Sequence, residues 1–270
     1  MKGLLLVNLG TPLSSSKWDV FKYLLEFLTD GRVIDIPWLK RQILVRGIIV
    51  PSRFRESANN YKAIWTEKGS PLLFHSQNLA EKVQKELGNV KVELAMRYQV
   101  PSIASALNRL KGVQELVILP LFPQYASATT GSIHQKVMDI VSKWDFVPSL
   151  SLINNFHDHP LFIKAFKEVA APFHLDSYDE VLFSFHGLPL RQLQKNSSHC
   201  NSLKCCSIKN DKNGACYGAQ CYETARLIAK ELGLKSYQVT FQSRLGKEPW
   251  KEPFTLDVIK SCAKEGKKKL

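Results

Sequence analysis

No segment of this 270-residue chain approaches the ~20 uninterrupted apolar residues that a membrane-spanning helix needs. The apolar run nearest the N-terminus, Leu4-Leu5-Leu6-Val7, is too short for the core of a signal peptide and has no small-residue cleavage site behind it. These absences predict a cytoplasmic protein. Acidic residues are scarce, 24 Asp and Glu against 37 Lys and Arg, which leaves a net charge of +13. Such a field draws nucleic acid, anionic lipid or an acidic small molecule. No basic stripe interleaved with aromatics is present, so nucleic acid is not expected as a partner. Cysteine is nearly confined to one place: Cys262 stands alone, and the other five crowd between residues 200 and 221.

What remains is ordinary globular material, 44% hydrophobic and 23% charged, with ample length for a core. Short apolar runs alternate with helix-period segments, the pattern of an α/β protein with a largely parallel sheet. Strands are predicted over 4–9, 91–96, 115–121, 149–153, 181–186 and 237–242. Ser14, Ser15 and Ser16 offer caps for a helix carrying Trp18, Phe21, Leu24, Leu25 and Leu28 on one stripe. Similar stripes fall at Leu79, Val83 and Leu87, at Ile103, Ala106, Leu107 and Leu110, and at Leu161, Phe162, Ala165, Phe166 and Val169, and are expected to be core. The spacing suggests two similar doubly wound, Rossmann-like lobes, 1–146 and 147–270, with a cleft between them for a ligand. A Cys-rich insertion over 196–221 interrupts the second. The segment from Ile36 to Pro51 is apolar yet studded with Lys40, Arg41 and Arg46. It reads as core or as an apolar lip over a cleft, with peripheral membrane contact as the alternative.

Several short constellations can carry chemistry. In Leu182-Phe183-Ser184-Phe185-His186-Gly187-Leu188-Pro189 an apolar run stops at a histidine, and Gly and Pro end it. That places His186 at the carboxyl end of a strand, where open α/β sheets bind ligands. An imidazole there can hold a metal or move protons, or simply finish the strand. Arg97-Tyr98 ends another strand; Arg97 can pair with a carboxylate and Tyr98 can pack on a flat ligand, though both also suit a structural pair or a core wall. The hydroxyl-rich turn Ala126-Ser127-Ala128-Thr129-Thr130-Gly131-Ser132 precedes a helix and suits an anionic group, or merely caps the helix. His157-Asp158-His159-Pro160 resembles a metal site at first sight but reads better as a helix start. Glu248 and Trp250 sit in a Gly/Pro-broken loop after the last strand, as a candidate acid/base and a stacking wall. Cys200, Cys205, Cys206, Cys216 and Cys221 follow a C-x4-C-C-x9-C-x4-C spacing. Disulfides are a poor explanation in a reducing cytoplasm, whereas four thiolates would cage a [2Fe–2S] cluster or Zn²⁺. The spacing departs from a C-x2-C zinc ribbon, which favours iron–sulfur.

Val7-Asn8-Leu9-Gly10-Thr11-Pro12, Met96-Arg97-Tyr98, the 119–132 segment, Phe183–Pro189 and Phe241–Trp250 together resemble the ordered motifs of the ferrochelatase family, over essentially the whole chain. The resemblance implies a two-lobed chelatase fold and a lyase that inserts Fe²⁺ into protoporphyrin IX, releasing two protons, as the last step of haem synthesis. It implies His186 as metal ligand and acceptor of pyrrole protons, a role for which a base of near-neutral pKa is suited. Leu9, Tyr98, Tyr125 and Trp250 would wall the macrocycle, which cleft packing would distort. Arg97, Ser127 and Thr130 would reach its polar edge. The cysteine insertion resembles that of bacterial members carrying a [2Fe–2S] cluster, with Cys200, Cys206, Cys216 and Cys221 as its ligands and Zn²⁺ as the alternative. The family continues beyond the helix matching 255–264 with a strand and a glutamate-bearing helix. This chain ends at Leu270 and carries no residue matching that glutamate, so a fold cut short at its C-terminus is expected. Other readings are a chelatase for another porphyrin, such as coproporphyrin, and a non-catalytic iron–sulfur or zinc sensor. No motif specifies an oligomeric state.

Overall fold

All six predicted strands form, and their register explains why their apolar residues run nearly unbroken. The structure is a computed structural model that describes residues 1–196, 206, 210, 212–244, 246 and 248–270. The chain divides into two compact units: residues 1–122 with 126–154, and residues 123–125 with 155–270.

In the first unit β1 (Lys2–Gly10), β2 (Val90–Tyr98), β3 (Glu115–Pro120) and β4 (Ser149–Leu152) make a parallel sheet in the order β2-β1-β3-β4. Successive residues of β1 point to opposite faces, so Leu5 and Val7 enter one core and Leu6 another. The first core packs Ala95, Leu116 and Ile118 against Ile103, Ala106 and Leu107 of α5 (Ile103–Arg109) and Ile133 and Val137 of α6 (Ser132–Val141). The second packs Leu94 and Met96 against Leu73, Ala80 and Val83 of α4 (Pro71–Leu87). Burial on both faces is what a doubly wound parallel sheet requires. Helix α1 (Lys17–Leu28) starts where predicted, with the Ser16 hydroxyl accepting the Asp19 N–H at 3.2 Å. The apolar segment becomes α2 (Trp38–Leu44), a π-helical turn (Val45–Ile49) and α3 (Val50–Ile64). It is core at Val45 and Val50 only; Trp38, Leu39, Ile43 and Ile48 are more than 60% exposed.

The second unit carries a two-stranded parallel sheet among the described residues, β5 (Leu182–His186) beside β6 (Gln238–Gln242). Its remaining elements are α7 (Pro160–Ala170), α8 (Leu190–Asn196), α9 (Tyr217–Leu232) and α10 (Thr255–Lys264). Cys221 and Ala225 of α9 pack on Val239 and Phe241 of β6. Two expectations change here. Residues 149–152, which the spacing assigned to the second lobe, pair with β3, because Leu150 and Leu152 complete the first core. The stripe on α7 is not core: Leu161 and Val169 are each 70% exposed, and Ile163 is the buried residue. Phe162 instead joins an edge-to-face ladder with Phe156 and Phe166. Trp18, Leu79 and Leu87 are likewise exposed, Trp18 stacking on Phe21 with Lys22 over its ring. Periodicity marks a face as apolar but does not say that anything covers it.

Candidate active site

In the second unit the chemistry gathers at the carboxyl end of β5. His186 pairs in register with Gln242, and beyond it the Gly187 N–H donates to the Gln242 carbonyl at 2.7 Å. A Cβ at position 187 would stand 2.9 Å from that oxygen, so only glycine permits the approach. The loop then zips onto a second one: Leu190 N–H donates to the Pro249 carbonyl at 3.0 Å, Lys251 N–H donates to the Leu188 carbonyl at 2.9 Å, and Pro189 bridges Trp250. The histidine motif and the Glu248–Trp250 motif, distant in sequence, thus form one structure. Trp250 is 9% exposed, and its buried indole N–H has no acceptor among the described residues. The Tyr217 hydroxyl donates to the His186 carbonyl at 2.8 Å, fixing the strand end from α9. His186 keeps an exposed surface, yet the protein packed around it strips part of its hydration and lowers its pKa. Its ring is therefore neutral at pH 7, with a lone pair available. Glu248 pairs with Arg191 at 3.2 Å on the surface. Tyr125 is half-buried and held by its N–H, which donates to the Gln220 side chain at 2.7 Å.

In the first unit β2 delivers Arg97 and Tyr98 to a carboxylate that periodicity did not single out. Asp30, in the turn after α1, accepts from Arg97 Nη2 at 2.6 Å, Tyr98 OH at 2.9 Å and the Ser132 hydroxyl through Oδ2, and from the Arg32 N–H at 2.8 Å through Oδ1. Burial alone would raise the pKa of this carboxyl. The bonds from Ser132, the Arg32 N–H, Arg97 and Tyr98 outweigh it and leave the pKa lowered. Tyr98 is fully buried, its ring packed on Phe27 and under the Arg97 guanidinium at 4.6 Å. The expectation that Tyr98 packs directly on a ligand is corrected accordingly: it is a core wall, and Arg97 is held in an ion pair. Ser127 does not cap its helix. Its hydroxyl accepts from Arg32 Nη1 at 3.0 Å, and a π-helical turn (Ser127–Gly131) starts at Ala126 instead. Thr130 is fully buried, its hydroxyl without a partner among the described residues, and Leu9 is half-buried on β1. His159 and Pro160 begin α7, with His159 accepting the Leu161 N–H at 3.3 Å. No group of three His, Cys, Asp or Glu able to hold a metal occurs among the described residues.

The family model for ferrochelatase matches residues 1–270. The chain belongs to the ferrochelatase family. It is 48% identical over 274 residues to ferrochelatase of Legionella pneumophila strain Paris, covering 100% of this chain and 82% of that one. It is 43% identical over 278 residues to ferrochelatase of Coxiella burnetii strain Dugway 5J108-111, covering 99% and 77%. Among solved structures, SirB from Bacillus subtilis with Fe³⁺ matches with a TM-score of 0.52 at 12% identity, over 97% of this chain and 71% of that one, which shows the chelatase fold. Ferrochelatase is a lyase of haem biosynthesis whose substrates are Fe²⁺ and a porphyrin.

Ferrochelatase motifs pointed to Arg97, Ser127 and His186 but not to the residues that hold them. Ser132 falls in the hydroxyl-rich turn read as an anion site or helix cap, whereas Asp30, Arg32 and Tyr217 belong to no motif. Only the Asp30-Gly31 pair carries a local signal, that of a turn. Their partners lie up to 102 residues away in the chain.

Proposed function

We propose that this ferrochelatase acts on protoporphyrin IX, with His186 as ligand of the incoming Fe²⁺ and acceptor of a pyrrole proton. The observation that carries this reading is an imidazole, partly exposed and partly stripped of hydration, at a pinned strand end. As Fe²⁺ enters, the two pyrrole N–H protons must leave. A neutral imidazole offers its lone pair to the cation or to one proton at a time, and returns each proton to water. Leu9, Tyr125 and Trp250 would pack on the macrocycle, and Ser127 would meet its polar edge; Thr130, fully buried, would act only from behind that turn. Arg97 and Tyr98 would act from behind, through Asp30. The test is His186→Ala in the full chain. Iron insertion, followed by loss of porphyrin fluorescence, is expected to fall at least about 1,000-fold with porphyrin affinity changed only severalfold; undiminished turnover rejects the assignment.

The cysteine segment is a candidate for a [2Fe–2S] cluster, with Zn²⁺ as the alternative. Cys200 and Cys205 lie outside the described residues. Cys206 and Cys216 are buried together with Ala219. The Cys216 pKa is lowered to about 6, first by its hydrogen bond with Cys206, against burial, and further by the Ala219 and Gly218 N–H groups and Lys251. A Cβ on Gly218 would stand 2.8 Å from Cys206 Sγ, so the residue there leaves space at the sulfur. Cys221 is fully buried, and burial raises its pKa against a bond from Tyr217. The donor chemistry of Cys206 and Cys216 fits such a group, whereas Cys221 packs in the core on β6 and is not grouped with them; a bound cluster would supply a one-electron centre, a zinc ion a structural clamp. Two irons with two sulfides in anaerobically purified protein would support the cluster, and one zinc would reject it.

A membrane-surface role is proposed for the first unit on the exposure of Trp38, Leu39, Ile43 and Ile48 beside Lys40 and Arg46. No helix among the described residues is long and apolar enough to cross a membrane. Cys216, Cys221 and Cys262 are buried and unbridged, which suits a reducing cytoplasm.

A further inference from the structure

A group of partly engaged guanidinium donors lies in the first unit. A cavity of about 540 Å³ is lined by Arg32, Arg41, Arg97 and Lys136, with Asp30 and Asp139 as the only carboxylates. Each guanidinium is locked by the protein through part of its fork. Arg32 donates from Nε to Gln135 at 2.6 Å and from Nη1 to Ser127 at 3.0 Å. Arg41 donates from Nη1 to the carbonyls of Ile34 at 3.3 Å and Ile36 at 2.8 Å. Arg97 is held by Asp30 at 2.6 Å and by Ser132 at 2.7 Å.

The rest of each fork has no acceptor among the described residues. Arg41 Nε is buried without a partner, and neither Arg32 Nη2, Arg41 Nη2 nor Arg97 Nη1 is engaged. Arg41 Nε has no accessible surface, so the donors left for a ligand are the unengaged Nη groups of the three forks. Asp30 is already matched by Arg97, so the balance facing the cavity is positive. Planar forks held rigidly, with donors converging on one space, are the arrangement that recognises carboxylate or phosphate oxygens bidentately.

We propose that this cavity is a binding site for an oxyanion of the carboxylate or phosphate class carrying at least two negative charges. Arg32, Arg41 and Arg97 supply the directed donors, Lys136 adds charge at the exposed edge, and Asp139 sets the upper limit on affinity by repulsion. The site stands independently of the roles given to His186 and the cysteines. The anion is one free in solution; the carboxylate edge of the porphyrin, which uses the same chemistry, is the competing occupant.

Calorimetric titration of the full chain with citrate and with inorganic phosphate, at constant ionic strength and with chloride as control, tests this directly. Saturable 1:1 binding is expected, weakened about tenfold in Arg41→Met and about threefold in Lys136→Met, and tightened about threefold in Asp139→Asn. Lys136 and Asp139 are exposed, so the last two variants read the site without disturbing the fold. Absence of saturable binding up to about 10 mM, or affinities unmoved by Lys136→Met and Asp139→Asn alike, overturns the proposal. Repeating the titration with porphyrin present distinguishes the sources. Stoichiometric displacement of citrate assigns the site to the porphyrin carboxylates and overturns the proposal, and simultaneous binding supports a free anion.

Discussion

Four donors of the first unit converge on Asp30. One carboxylate satisfies a guanidinium, a phenol, a hydroxyl and a backbone N–H, and with so little of the ion pair exposed these bonds are only weakly screened. Removing it strands Arg97 and Tyr98 together. Asp30→Ala is expected to cost about 3 kcal/mol in urea unfolding, because the guanidinium would remain desolvated without its counter-charge. The linkage sign follows from the lowered pKa. The unfolded chain protonates Asp30 more readily than the folded one, so acid favours unfolding. Its stabilisation is whole above the ordinary value of 3.8 and is lost as pH falls through the lower folded value. The stability gap between wild type and Asp30→Asn should therefore narrow below pH 3.8; a gap constant with pH would refute the linkage.

At the scale of elements, the parallel strands and the helices that cross over them differ in how faithfully sequence reports them. The strands of the first unit were readable because both their faces are buried, and unbroken Val, Leu and Ile runs have few other uses. Helix stripes were readable as helices but not as core. Leu107 on α5 is fully buried, whereas Leu161 on α7 is 70% exposed. Leu107→Ala is expected to cost about 3 kcal/mol through lost burial and a residual cavity. Leu161→Ala should stay within about 0.5 kcal/mol. Equal effects in thermal or urea unfolding would mean that α7 is covered in solution. The loop pairing at 187–190 and 249–251 had no signal in either segment alone, since backbone bonds between loops leave no residue pattern.

For the whole molecule the relevant quantities are its net charge of +13 and the apolar residues it leaves outside. Trp38, Leu39, Ile43 and Ile48 lie beside Lys40 and Arg46, a pairing that suits the boundary of an anionic bilayer. Co-sedimentation with vesicles containing phosphatidylserine is expected, and Trp38→Glu with Ile43→Glu should reduce the bound fraction severalfold. Raising the salt to about 0.5 M should weaken what charge contributes. Binding indifferent to both changes would reject the surface role.

Residue order alone was enough for the α/β class, the six strands, the family and the strand-end position of His186, because each rests on local hydrophobic pattern or on contiguous motifs. It could not supply the partners. The Asp30 hub, the guanidinium cavity, the burial of Tyr98, the exposure of α7 and the pairing of β4 with β3 all depend on contacts between residues far apart in the chain. Such contacts are chosen by the packing of whole elements, which satisfies each buried polar group with whatever the fold brings near it.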